Sequence, residues 1–104
     1  MAGVTTGEVE AWLGVDLTDE DSSVMDTIIQ PVNVTVTNWH GSPDNWSERV
    51  HHGAVMLAAH LWRRRGTPGG VAAFGEDGMA YVQKHDPQVA MLLGLGGWTT
   101  PRVG

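Results

Sequence analysis

The sequence predicts a mainly α-helical fold: a small bundle of about four helices that forms one domain over residues 1–97. Two observations predict it. Apolar residues recur every three or four positions over long stretches on both sides of residue 41. Most of these stretches begin at Ser, Thr or Asp and end at glycine, which are the residue types that favour helix starts and helix ends. We also predict an extended loop or short β-hairpin at about 70–82 and an extended C-terminal tail at 98–104.

The first predicted helix is short. Thr6 is its expected cap, and Gly14 is its expected end. Three apolar residues between them have i, i+3, i+4 spacing, which indicates a common buried face. They are Val9, Trp12 and Leu13.

The second predicted helix begins after Thr18, where three successive acidic residues suit the positive end of a helix dipole. Its apolar stripe continues for about five turns through Val24, Ile28, Val32, Val36 and Trp39. Residues 32–37 also alternate and are β-branched, as in a strand, and Pro31 lacks a backbone donor. We prefer the helix, with a kink near Gln30, because the helical period continues on both sides of the proline.

The third predicted helix is the central one. Ser42 and Pro43 are its expected cap and first residue, and it runs to about Arg65. Its apolar arc is too broad for burial on one side alone, so it should pack against neighbours on two sides. Arginines suit the negative end of the helix dipole, and Gly66 ends the helix.

Two apolar arms, at 71–74 and 79–82, flank a Gly-Glu-Asp-Gly segment, and this pattern predicts a loop or a short β-hairpin. A two-stranded hairpin is marginal alone, so it would need a partner surface. Asp86 then caps a last helix whose first residue is Pro87, and glycines from Gly94 onward end it.

Charge is unevenly distributed along the chain. The net charge is −6, and residues 1–48 hold nine acidic residues but no Lys or Arg. Four of the six basic residues lie between Arg49 and Arg65. A nucleic-acid reader is expected to be basic overall, so sequence-specific DNA binding does not fit. The two charged regions are suited instead to head-to-tail attraction between neighbouring copies.

The sequence lacks the residue patterns that usually carry catalysis or metal binding. The chain has no cysteine, and its histidines lack the i, i+4 spacing of a helical zinc site. No serine lies in a Gly-x-Ser-x-Gly turn, and the acids at 16–21 lack the spacing of a calcium loop. We therefore expect a protein that is not an enzyme and has no metal and no cofactor. The N-terminal stretch lacks signal-peptide features and the longest apolar run is short, so we expect a soluble protein with no membrane contact.

Taken in order, these segments resemble the head-to-tail connector, or adaptor, proteins of tailed bacteriophages, particularly those that infect actinobacteria. The resemblance rests on joint order: a short first helix, a helix with an acidic start, an Ala/Leu-rich helix ending in arginines, a Pro-Gly-Gly loop and an Asp-Pro helix. These segments are residues 9–13, 19–39, 54–65, 68–82 and 86–97. Pro31 and the turn at 38–46 depart from the pattern.

The resemblance implies a structural protein of the virion, assembled in the host cytoplasm and located at the head-tail junction. Such proteins form a homo-oligomeric ring, usually of twelve copies, beneath the portal protein. The other face of the ring receives the head-closure (stopper) or tail-terminator protein, and genomic DNA passes through the lumen without specific binding. By position, the family's loop corresponds to residues 71–82 and its portal-docking tail to residues 98–104.

Aromatic residues and arginine are favoured at interfaces, which gives a candidate set for contacts between subunits or with the portal. The set is Arg63, Arg64, Arg65, Phe74, Tyr81, Trp98, Pro101 and Arg102. Phe74 and Tyr81 could instead close over the helices, and the arginines could simply be solvated. Two other functions stay open: a stopper or tail-completion protein of the same neck, and a small helical DNA-binding regulator.

Overall fold

The computed structural model describes residues 3–65, 74 and 78–95. These residues form five α-helices, one 3₁₀ turn and no strand, which confirms the mainly α-helical fold. The helices are α1 (Thr6–Leu13), α2 (Asp19–His40), α3 (Glu48–Arg63), α4 (Gly78–His85) and α5 (Pro87–Leu92), and the 3₁₀ turn is Pro43–Asn45. No helix in this part of the chain is long and apolar enough to cross a membrane.

Helix α3 is the centre of the bundle, as predicted, and packs against α1, α2 and α5. Every residue from Gly53 to Ala59 is buried. At Gly53 the approach of α5 is so close that an added Cβ would lie 2.9 Å from Leu92 Cβ. Glycine at this position therefore sets the distance between the two helices.

The helix starts follow local capping chemistry, with two corrections. Thr5, and not Thr6, caps α1: its Oγ1 accepts from the Glu8 backbone N–H, while the Glu8 carboxylate accepts from the Thr5 N–H. Thr6 is already helical, and its hydroxyl donates to Asp26 of α2. Gly14 ends α1 with φ +71°, a left-handed conformation that glycine adopts without strain.

The second correction concerns α3. The predicted cap at Ser42 is wrong, because residues 43–45 form a separate 3₁₀ turn and Trp46 returns to extended backbone. Ser47 is the cap, and its hydroxyl accepts from the Val50 N–H. Thr18 caps α2 as predicted, by accepting from the Asp21 N–H.

Helix α2 is continuous through Pro31, so the helical interpretation of residues 32–37 is confirmed and the strand alternative is wrong. Burial explains the outcome. Val32 and Val36, one turn apart, are fully buried, whereas Val34 is exposed. A helix buries the first two together in the core, which outweighs the hydrogen bond lost at the proline. The kink near Gln30 stays a prediction.

The hairpin prediction is wrong for its second arm, because residues 79–82 lie in α4. Helical backbone satisfies its own donors and acceptors, so this segment needs no partner strand. Tyr81 and Val82 are buried, and the Tyr81 ring meets Phe74 edge-on with centroids 5.9 Å apart. The first arm at 71–73, the turn at 75–77 and the tail at 98–104 lie outside the described residues.

Candidate interaction site

An open groove of about 530 Å³ lies between α1 and the beginning of α3. Ala11 and Trp12 line it from α1, and Trp46, His52 and Val55 line it from the other side. The sequence placed Trp12 on the buried face of α1, but 43% of this residue is exposed. Val9 alone occupies the fully buried position of that short helix, so Trp12 is left at the groove wall.

Aromatic contacts hold the two walls of the groove. The Trp12 indole meets His52 edge-on, with ring centroids 5.0 Å apart. Trp46 lies 6.0 Å from the His51 ring, and its Nε1–H donates to the Gly41 carbonyl at 2.9 Å. The Trp46 indole is therefore fixed in orientation while part of it stays open to the groove.

A polar pair links α1 to α3 beneath these aromatic residues. Nε2 of His51 lies 2.5 Å from Oε2 of Glu8, whose other oxygen takes part in the α1 cap. A carboxylate can only accept, so Nε2 carries the proton of this bond. Nδ1 of His51 is buried and has no hydrogen-bond partner among the described residues. Glu8 thus serves the start of α1 and the attachment of α1 to the central helix.

A second polar cluster lies at the other end of α3 and centres on Asp86, which is 95% buried. Arg64 holds this carboxylate with two bonds, from Nη1 to Oδ2 at 2.9 Å and from Nη2 to Oδ1 at 3.0 Å. Nδ1 of His60 lies 2.9 Å from Oδ1 of the same group. Arg64 also donates to the Tyr81 hydroxyl at 3.0 Å. The cluster therefore joins α3, α4 and the start of α5.

Burial by itself would raise the pKa of Asp86, because it penalises the charged form. The hydrogen bonds from His60 and Arg64, with their charges, outweigh this and lower the pKa to about 2. The bond to Asp86 correspondingly raises the pKa of Arg64 above its usual value, against a smaller opposing effect of burial. Asp86 and Arg64 thus form an ion pair that serves the fold.

The three successive arginines have different environments. Arg64 is engaged within the subunit, as part of the Asp86 cluster. The Arg65 guanidinium stacks on the Trp62 indole, 3.6 Å from its centroid, and donates to the Trp62 carbonyl at 2.7 Å. Arg63 and Arg65 are both exposed. Of the predicted contact set on this helix end, Arg63 and Arg65 are therefore the ones that present charge at the surface.

Two aromatic members of the predicted contact set, Phe74 and Tyr81, lie inside the subunit. Phe74 is 1% exposed and Tyr81 is 5% exposed. The structure thus shows the interpretation in which they close over the helices. Trp98, Pro101 and Arg102 lie outside the described residues.

Comparison with known proteins adds no relative. The chain matches no protein-family model, no curated protein and no solved structure. Over the residues described above, no group of three or more His, Cys, Asp or Glu side chains is placed to hold a metal ion.

Little in the sequence predicts the groove. Glu8 and His51 are 43 residues apart, and no local pattern predicts their pairing. One usable signal was composition, because five tryptophans exceed what a core of this size needs. That excess predicts an aromatic residue at the surface but not its position.

Proposed function

We propose that this protein is a head-to-tail adaptor of a tailed bacteriophage. It is a structural subunit that forms a ring, usually of twelve copies, beneath the portal protein, and it joins the DNA-filled head to the tail. The ring receives a stopper or tail-terminator protein on its other face. The proposal rests on the order of the sequence elements and on one structural observation, the presence of two surfaces of opposite character on one small subunit.

The basic surface is the end of α3, where Arg63 and Arg65 are exposed. The acidic surface is the start of α2, where Asp19 and Glu20 are exposed. Neither surface can pair with a copy of itself without placing like charges together. Contact between copies therefore joins two different surfaces, and such heterologous contacts close into rings when the rotation between neighbours permits.

The overall charge supports the same function. A net charge of −6 disfavours tight contact with DNA phosphates, which suits a channel through which the genome must slide. The regulator alternative would use the arginines of α3. Arg64 is held by Asp86 inside the subunit, so it is poorly suited to serve as a phosphate contact.

Co-assembly with the portal protein encoded in the same genome tests the proposal. We expect electron microscopy of the mixture, or of intact virion necks, to show a ring of this protein on the tail-facing side of the portal. Reversing Arg63 and Arg65 to Glu should prevent the ring. Lys84→Glu is the control, because Lys84 is an exposed cation outside the α3 helix end. Location nearer the tail, with another protein between it and the portal, would identify a stopper or tail-completion protein instead.

DNA binding gives an independent test. A regulator binds duplex DNA with an affinity that falls steeply with salt, because each phosphate contact releases counterions. We expect no such binding at physiological salt. Tight, salt-dependent binding by the purified protein would overturn the adaptor proposal.

The tail at 98–104 has no helical period, and we expect it to act in assembly and not in folding. Deleting these residues should leave the monomer folded, with unchanged far-UV circular dichroism, yet stop it from joining the portal. Unfolding on truncation would contradict this role.

A further inference from the structure

We propose that the groove between α1 and α3 binds residues 98–104 of a neighbouring copy, so that this pairing is a head-to-tail contact of the assembly. The inference rests on the self-association in the proposed function. It assigns residues 98–104 a contact with a neighbouring copy of this chain, whereas the resemblance implies a contact with the portal.

The groove offers apolar and acidic contacts together. The Trp12 indole is 43% exposed at one wall, and the partly exposed Trp46 lies at the other. Val55 follows the polar residues of α3 that line the groove and adds an apolar side chain that is 6% exposed. Glu48, also at the groove, is exposed, and the Glu8 side chain is 35% exposed. An occupant with an aromatic or proline anchor and one cation would match this surface.

Residues 98–104 read Trp-Thr-Thr-Pro-Arg-Val-Gly and carry that combination. Tryptophan is the side chain most enriched as an interface anchor. The residue before a proline favours extended backbone, and extended proline-containing segments bind aromatic-lined grooves. Arg102 is the one charged side chain of the segment, and its guanidinium suits the carboxylates of Glu8 and Glu48.

Geometry favours the groove of a neighbour over the segment's own groove. Leu92, at the end of α5, packs on Gly53 of α3. His51 and Val55, which line the groove, are each two residues from Gly53 and therefore about 200° around the helix from it. The end of α5 thus lies across α3 from the groove.

The chain between α5 and Trp98 is too short to go around α3. Trp98 is three residues beyond Leu95, and three extended residues span at most about 11 Å. That length is about the diameter of one helix with its side chains, about 10–12 Å, and less than a path around it. A neighbouring copy is under no such limit.

Complementation between two full-length variants tests the pairing in solution. The first variant, Trp98→Ala, is labelled with ¹⁵N and keeps an intact groove. The second variant, Trp12→Ala, is unlabelled and keeps an intact tail. We expect the second protein to shift the indole signals of Trp12 and Trp46 in the first, in a saturable way, and to leave that of Trp39 in place. The control is the unlabelled double variant Trp12→Ala/Trp98→Ala, which should leave the Trp12 and Trp46 signals in place.

A charge exchange tests the predicted ion pair. Arg102→Glu in the unlabelled protein should weaken the affinity about fivefold, the ratio that corresponds to a charge pair worth about 1 kcal/mol. Placing Glu48→Arg in the labelled protein should restore the affinity. Thermal melts check that each variant is folded, and Met91→Ala, which alters an apolar residue that is 70% exposed outside the groove, serves as the control for loss of apolar surface.

Several outcomes would overturn the inference. One is the absence of any shift at Trp12 and Trp46, and another is an equal shift with the double variant. A wild-type spectrum whose Trp12 signal differs from that of Trp98→Ala at every dilution would place the segment in its own groove. Rings on the portal that tolerate Trp12→Ala but not Trp98→Ala would make the portal the partner of the segment. That last result would leave the proposed adaptor function intact. A saturable shift combined with the absence of this protein from virion necks would refute the adaptor function and support the pairing.

Discussion

Replacing Asp86 with Asn should remove a large part of the stability that this fold has at neutral pH. The substitution keeps the shape of the side chain and removes the charge that holds Arg64 and His60. Because the cluster joins α3, α4 and the start of α5, its loss should weaken the attachment of the C-terminal helices to the bundle.

The pKa of Asp86 gives the magnitude. It falls from 3.8 to about 2 on folding, and each pKa unit corresponds to about 1.4 kcal/mol. The ionised carboxylate therefore contributes about 2–3 kcal/mol to the free energy of unfolding. Breaking a fully buried ion pair costs about 3–5 kcal/mol, but the Arg64 side chain is 34% exposed and can be hydrated after the change. Asp86→Asn should therefore lower the free energy of unfolding by about 2–3 kcal/mol, out of a total of about 5–15 kcal/mol for a typical domain.

The same shift predicts a pH dependence. Because the folded-state pKa lies below the unfolded value, the contribution is fully present above about pH 4 and is lost as the pH falls through about 2. Urea unfolding followed by circular dichroism, at pH 7 and at steps from pH 5 to pH 2, measures both effects. The wild-type protein should lose stability over this range more steeply than Asp86→Asn.

Asp16→Asn is the matched control, because it makes the same chemical change at an exposed position. It should change the free energy of unfolding by less than about 0.5 kcal/mol. An Asp86→Asn variant as stable as the wild type, with an unchanged pH profile, would refute the assignment of this cluster as a structural ion pair.

Four further substitutions test the helix packing, the proline in α2 and a hydrogen-bonded link to the N-terminus. Gly53→Ala should destabilise the protein by about 1–3 kcal/mol, because the added Cβ forces α5 away from α3. Gly7→Ala, where an added Cβ meets nothing within 4 Å, should stabilise it by about 0.5–1 kcal/mol. Thermal melts that rank the two variants the other way would contradict the close approach of α5 to Gly53. Pro31→Ala should raise the free energy of urea unfolding by about 1–3 kcal/mol by restoring a helical donor in α2, and a loss of stability would show that the proline is needed there. Asn33→Ala should lower the free energy of unfolding by about 1–3 kcal/mol, because the Asn33 amide accepts from the Val4 N–H at 2.9 Å and donates to the Val4 carbonyl at 3.1 Å. The variant should also be cut faster by a protease near its N-terminus. An unchanged cleavage rate would argue against this link.

Local chemistry predicted most helix boundaries, although two caps, Thr5 and Ser47, differ from the predicted Thr6 and Ser42. Thr18 before three acids, Gly14 after a short apolar stripe and Pro87 after Asp86 all mark helix boundaries that the structure confirms. The broad apolar arc of α3 likewise predicted its central position. In each case the interaction spans at most a few turns, so spacing in the sequence carries the information.

Long-range pairing decided the rest. The strand-like segment after Pro31 is helical because Val32 and Val36 are buried together in the core, and the predicted hairpin arm is helical with Tyr81 buried against Phe74. The role of Asp86 also differs from expectation: it stands at the cap position of α5, but its side chain bonds to Arg64, 22 residues away, and makes no capping bond.

Residue type and short spacing are enough to specify the mainly helical class, most helix boundaries, the central helix and the uneven charge. Tertiary structure decided which polar groups pair and which aromatic residues stay exposed. Trp12 shows the reason: it shares the helical spacing of Val9, yet it lies at the groove because α1 presents only one narrow face to the core. Burial depends on what packs against a helix, and that partner lies some 40 residues away in the sequence, in α3.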